Sequence, residues 1–226
     1  MLNKVIKHIK QGTLANTVYK IAIDKRERMH LRINGYTRNI YNISRYGREA
    51  PRFGELIWIN PRNCNKLIHW KLFLELYGIN HRAASALVVE SSWPFEQERH
   101  IIEYPKIKSC FDHWIRNIPW ENTEHPGLIK NNMESLKRAD QIFGQVKREG
   151  RLRLAGEINE KYRLGTVNIG PKGELFFTEG GTHRFVMAYI LNIPYPAQVG
   201  LVHVSAIPYL KEYRRFPPPN KVTLPR

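Results

Sequence analysis

Apolar and polar positions alternate most regularly in the last third of the chain. Gly165-Thr-Val-Asn-Ile169 and Glu174-Leu-Phe-Phe-Thr178 follow the two-residue period of strands, and Gly170-Pro-Lys-Gly173 between them is rich in turn formers. The pattern predicts an antiparallel hairpin. Glu179-Gly-Gly-Thr182 reads as a tight loop, and His183 to Leu191 as a helix apolar over most of its surface, hence buried. Asn192-Ile-Pro194 breaks that helix, and Ala197 to Val204 reads as a final strand.

Upstream, Glu55-Leu-Ile-Trp-Ile-Asn60 predicts a strand closed by Pro61. Asn65 to Tyr77 spaces Leu67, Ile68, Leu72 and Leu76 as a helix would, and Gly78 is a natural stop. Ala86-Leu-Val-Val-Glu90 predicts another strand. Residues 91–119 are irregular, a long ordered loop or short helices anchored by Trp93, Phe95, Phe111 and Trp114. Asn131 to Gly150 predicts the clearest helix: Asn131 and Glu134 resemble a capping box, and Leu136, Ala139, Phe143 and Val146 form its apolar stripe. At the start of the chain, Leu2, Val5, Ile6 and Ile9 alternate with Lys4, Lys7 and Lys10 as a basic amphipathic helix. Three readings of it stay open: docking on its own domain, an anionic membrane surface, or nucleic acid. Ile21 to Tyr46 has weak periodicity. Phe216-Pro-Pro-Pro-Asn220 reads as an extended arm.

Charge sharpens this division. The formal net charge is +16 over 226 residues, with 42% hydrophobic and 11% aromatic residues, so a packed core is within reach. Residues 1–52 carry twelve Lys/Arg against three Asp/Glu, and 211–226 carry five against one. The basicity therefore belongs to the ends. The expected organisation is a basic helical extension over 1–52, one domain of mixed α/β (α+β) class over 53–210, and a proline-rich basic tail over 211–226. No apolar run approaches the roughly 18 residues of a membrane span. The N-terminus has no apolar signal core, and the two cysteines, Cys64 and Cys110, form no CxxC pair. These features fit a cytoplasmic protein, peripheral to the membrane if the first helix binds lipid.

The candidate chemistry lies in Glu179-Gly180-Gly181-Thr182-His183-Arg184. Two glycines permit positive φ and close backbone approach. They precede a helix, whose free N–H groups and dipole favour an anion. A hydroxyl, an imidazole and a guanidinium at the helix mouth can all donate to phosphate oxygens. As composition alone, the same residues also suit a plain turn.

The segment Leu175-Phe-Phe-Thr-Glu-Gly-Gly-Thr-His-Arg184, followed by Asn192-Ile-Pro-Tyr-Pro-Ala-Gln-Val199, resembles the shared fold of ParB N-terminal domains and sulfiredoxins. Sulfiredoxins have a Gly-Gly-Cys-His-Arg loop before a helix, ParB domains a Gly-Glu-Arg-Arg loop, and free serine kinases of this fold an Asp-Gly-His-His-Arg loop. The run from Glu157 to His203 is similar to ParB-like proteins of bacteria and archaea, strongly over 157–204 and weakly over 55–150. The resemblance implies a ParB/sulfiredoxin-like small mixed sheet covered by helices, with a nucleotide- or phosphate-binding loop at Gly180, Gly181, Thr182, His183 and Arg184. Thr182 stands where sulfiredoxins have their cysteine, which argues against sulfinic acid reduction. The residues after Val204 are read as too few for the helix-turn-helix domain of partition proteins.

The function expected first is a phosphotransferase, using ATP or another nucleotide with Mg²⁺ to phosphorylate a small hydroxyl-bearing substrate. Glu179 and His183 are its candidate catalytic residues: Glu179 as base or as a loop carboxylate paired with an arginine, His183 as phosphate ligand or as a backbone-bonded imidazole. A nucleic-acid-binding protein or nuclease using the basic arms is the alternative. A non-catalytic nucleotide sensor, held at an anionic membrane by residues 1–10, is a third. Glu121 and His203 are weaker candidates, and Lys137 and Arg138 could add charge to the pocket. The histidine spacings suggest no dedicated metal site.

Overall fold

The predicted hairpin forms the middle of the sheet. The structure, a computed structural model, describes residues 29, 33, 35–79, 84–91, 93–95, 98–124, 133–153, 164–178 and 180–215. Among these, six strands are β1 (Leu56–Ile59), β2 (Lys66–Ile68), β3 (Leu87–Val89), β4 (Thr166–Ile169), β5 (Leu175–Thr178) and β6 (Tyr195–His203). Six helices are α1 (helical at 29, 33 and 35–46), α2 (Trp70–Tyr77), α3 (Pro105–Trp114), α4 (Met133–Glu149), α5 (Thr182–Leu191) and α6 (Ile207–Arg215). The chain is a mixed α/β protein with an open mixed sheet in the order β1-β6-β4-β5-β2. β4 and β5 pair antiparallel, as do β1 and β6; β2 with β5, and β4 and β3 with β6, are parallel.

Both faces of the sheet are covered. On β5, Leu175 and Phe177 enter one apolar cluster, with Phe185, Val186, Leu136, Ala139 and Ile107 from α5, α4 and α3. Phe176 enters the other, with Phe73, Trp93, Phe95 and Leu201. Phe177 and Phe185 stack at 4.1 Å, and Tyr195 meets Phe185 edge-on at 5.2 Å. The Tyr195 hydroxyl accepts from the Gly165 N–H at 3.0 Å, and burial pushes its pKa up to about 12.

A bulge lies in the central strand. Val167 faces Val199 but Ile169 faces Val202, so β6 holds one residue more than β4 there. Val199 and Val202 consequently share one face, and Leu201 turns to the other. Asn168 satisfies the interrupted ladder. Its Oδ1 accepts from the Leu201 N–H at 2.8 Å, while Nδ2 donates to Phe176 O and Thr178 Oγ1. A side chain at Gly200 would sit 2.3 Å from that Oδ1.

Two expectations need correction, and a third, short helices within 91–119, takes definite form. Residues 66–68 are strand and not helix; only Trp70–Tyr77 is helical, with the His69 imidazole accepting from the Lys71 N–H at its start. Leu67 and Ile68 are buried in opposite clusters, which strand geometry allows and one helix face does not. The irregular stretch 91–119 contains the ten-residue α3, with Pro105 at its first turn. The final strand begins at Tyr195, two residues before the position expected. The hairpin, α4 and the α5 region lie where the pattern put them, within one or two residues.

Helix α6 is tied to the segment that leads into β1. Arg214 on α6 donates from Nε and Nη2 to the two Glu55 carboxylate oxygens (2.6 and 3.1 Å) and from Nη2 to Ala50 O at 3.0 Å, so α6 runs on through position 210. Glu55 holds the Arg214 guanidinium pKa above its ordinary value. The amphipathic stretch 1–10 and the Pro-rich stretch 216–220 lie outside the described residues. Among the described residues, no helix is long and apolar enough to cross a membrane. Cys64 and Cys110 are both buried and unbridged, and burial pushes the Cys110 thiol up to about 12.

Candidate functional site

The strand–loop–helix unit at β5 and α5 has the backbone that its glycines suggest. Gly180 has φ +135° and Gly181 φ +64°, both in the region that glycine enters without a side-chain penalty. Gly181 is the N-cap of α5, and its carbonyl accepts the first intrahelical bond, from the Phe185 N–H at 3.0 Å. Among the described residues, no side chain caps this end. The N–H groups of the first turn therefore have no intrahelical acceptor and point out of the helix mouth.

That mouth opens into a cleft of about 350 Å³. One wall is Gly181, Thr182, His183, Arg184 and Met187 from α5. The opposite wall is Lys106 at the start of α3 and Ser135, Arg138, Ala139 and Ile142 from α4. Three cationic side chains thus surround this helix N-terminus, and no carboxylate is among the described lining residues.

Thr182 is 3% exposed, and its Oγ1 is fully buried with no hydrogen-bond partner among the described residues. A buried hydroxyl without a partner costs about 1–3 kcal/mol. Arg184 is 8% exposed, and its Nη2 donates to the Arg153 carbonyl, fixing the guanidinium beside the cleft.

His183 Nε2 is also buried with no partner among the described residues. Its ring meets Trp114 and Trp120 edge-on, at 6.2 and 6.4 Å. Those indoles are fixed by one carboxylate. Asp140 accepts from Trp114 Nε1 at 2.9 Å and from Trp120 Nε1 at 3.2 Å, and lies 3.1 Å from His113 Nε2. Burial in this box, helped by the Lys106 charge and opposed by Asp140, lowers the His183 pKa to about 4. His183 is therefore a neutral hydrogen-bonding group at pH 7.

Of the expected site residues, Gly181, Thr182, His183 and Arg184 converge on the cleft, with Gly180 adjoining them. Glu179 lies outside the described residues. Arg138 lines the cleft as expected; Lys137 does not. Glu121 sits in an exposed turn, and His203 instead caps the short turn Val204–Ala206, accepting from the Ser205 N–H. Lys106 and Ser135 were not among the candidates. Pro105 opening a helix was the signal available for Lys106. Among the described residues, no three His, Cys, Asp or Glu side chains are grouped to hold a metal ion. Comparisons with protein-family models, with curated proteins and with solved structures give no match to this chain.

Proposed function

We propose that this protein binds a phosphate-bearing small molecule, a nucleotide such as ATP in the first instance, with a phosphate seated at the N-terminus of α5. The observation that carries the reading is the Thr182 hydroxyl, buried and unpartnered at the helix mouth. A phosphate oxygen would satisfy it once the groups that now cover it move aside. The first-turn N–H groups and the neutral His183 imidazole would supply further donors, and Lys106, Arg138 and Arg184 the compensating charge. Ala139, Ile142 and Met187 give the non-phosphate part of the ligand an apolar wall. The cleft is at the lower end of the range for small-molecule sites.

Transfer of the phosphoryl group to a small hydroxyl substrate extends this proposal, as does membership of the ParB/sulfiredoxin-like fold. The transfer step rests on Glu179 as base. His183, at a pKa of about 4, is too weak a base to replace it near neutrality. The described lining offers a magnesium ion no carboxylate and does not fit the metal by itself. A nucleotide would bring Mg²⁺ on its own phosphates.

The test is a melting-temperature screen of the full chain against phosphate, pyrophosphate, ATP, ADP, CTP and GTP, each with and without Mg²⁺, at matched ionic strength. A ligand at a hundred times its Kd adds about 2.7 kcal/mol, roughly 5–10 °C for a chain of this size. The reading predicts such a shift for at least one compound, reduced in Lys106→Ala. No shift with any of them overturns it. Tight binding of oligonucleotides alone, falling steeply with salt, would favour the nucleic-acid reading instead.

A further inference from the structure

Helix α1 turns its polar side towards the body. Asn42 Nδ2 donates to the carbonyls of Pro51 and Ala86 (2.8 and 2.9 Å), Asn39 Oδ1 accepts from the Phe53 N–H (2.6 Å), and Arg38 Nη1 donates to Ser85 O (2.9 Å). The other side is apolar and outward. Met29, Ile33, Tyr36, Ile40 and Ile43 succeed one another at steps of four, three, four and three residues, and they are between 39 and 71% exposed. Tyr41 lies beside them, 54% exposed.

The four-three alternation is the seam of a coiled coil, in which such residues insert between those of a facing helix. A helix lying in a lipid surface carries a broader apolar face than this stripe. Here hydroxyl residues border the stripe: Thr37 and Ser44 are exposed and donate to the carbonyls of Ile33 and Tyr41 on their own helix. The occupant the spacing fits is therefore another helix.

The flanks indicate which helix. Among the described residues, the cations of α1 are Arg38, bonded to Ser85 O, and Arg45, paired with Glu90. Thr37 and Ser44 carry no charge, so over the described positions 36–44 a second α1 would meet no like charge along the seam. Six side chains at roughly 100 Å² of exposed area each give on the order of 600 Å² per copy, approaching the roughly 800 Å² per partner of a stable interface. Docking on the body already holds α1 in helical form, so association avoids the cost of nucleating a short helix. We propose that the protein is a two-fold symmetric dimer, joined by the Met29–Ile33–Tyr36–Ile40–Ile43 stripe of α1 packed against the same stripe of a second copy.

The test is the molar mass of the full chain by sedimentation equilibrium between about 1 and 100 μM, concentrations at which a specific dimer of this size associates. The expected mass is twice the 26.6 kDa of one chain. Ile40→Asp should shift the species to monomer, weakening association at least a hundredfold while circular dichroism stays unchanged. Should that variant misfold, Tyr36→Glu, at the most exposed position of the stripe, serves the same purpose. A wild-type chain that is monomeric throughout overturns the proposal, as does a dimer that survives a folded substitution. Monomeric wild-type protein that pellets with phosphatidylserine vesicles, in a manner Ile40→Asp abolishes, also overturns it and assigns the stripe to lipid.

Discussion

At the level of single residues, His183 and the cations around it act in different ways. Burial lowers the His183 pKa to about 4, whereas in the unfolded chain it returns to its ordinary value near 6.5. Between those values the unfolded chain holds more protons, so stability is full above about pH 6.5 and declines as pH falls towards 4. The loss from this group is on the order of 3 kcal/mol. Denaturant unfolding at pH 7 and pH 4.5 should show it, and His183→Gln should flatten the difference; equal slopes for the two proteins would contradict it. Lys106→Ala should weaken phosphate binding about threefold to tenfold with little change in stability, because Lys106 is partly exposed at the rim. Arg184→Ala should lower affinity about tenfold to a hundredfold and also destabilise by about 1–3 kcal/mol. Its guanidinium is buried and bonded to the Arg153 carbonyl, so it has a structural duty that the sequence did not suggest. Thr182 was legible as a donor, because glycines before a helix mark such a position. That its hydroxyl has no internal partner depends on how α5 packs, and local spacing carries nothing of that.

Among the elements, the pattern was readable wherever one period and one terminator agreed. The β4–β5 hairpin had alternation with Gly-Pro-Lys-Gly between, and α4 had a stripe ended by Gly150. Lys66–Ile68 had no such agreement. Adjacent apolar residues fit a helix face as well as a strand buried on both sides, and pairing with Phe176–Thr178 decides between them. The β6 bulge was equally hidden, although Val199-Gly-Leu-Val202 carries its one local sign, a glycine inside a strand. This bulge supports a specific expectation. Gly200→Ala should cost about 1–3 kcal/mol by forcing a Cβ against Asn168 Oδ1. Asn168→Ala should cost about 2–4 kcal/mol by stranding the buried Leu201 N–H and removing the two bonds from Nδ2. The double variant should be less damaging than the sum, since the second substitution removes one of the two obstructions met by the first, Thr166 Cγ2 at 2.5 Å being the other; chemical denaturation of the four proteins measures this, and strict additivity would contradict it.

For the whole molecule, the sheet order joins segments far apart in sequence, and no local pattern specifies β1 against β6 or β2 against β5. The charge distribution was legible as a basic surplus at both ends, whereas the cationic cleft draws on Lys106, Arg138 and Arg184 from three separate helices. A chain of net charge +16 attracts anions over much of its surface, so binding alone does not locate a site. The central claim, that a phosphate is held at the mouth of α5, needs a variant that keeps the charge and changes one buried contact. Thr182→Val is that variant, since it replaces a buried, unpartnered hydroxyl with a methyl group of similar size. Calorimetric titration of wild type and Thr182→Val with pyrophosphate, or with whichever nucleotide shifts the melting temperature most, gives the direct answer at fixed ionic strength. The account predicts that affinity falls about tenfold in the variant while its unliganded melting temperature stays the same or rises, because a buried hydroxyl without a partner has been removed. Equal affinity in the two proteins, or no measurable binding to the wild type, would contradict it.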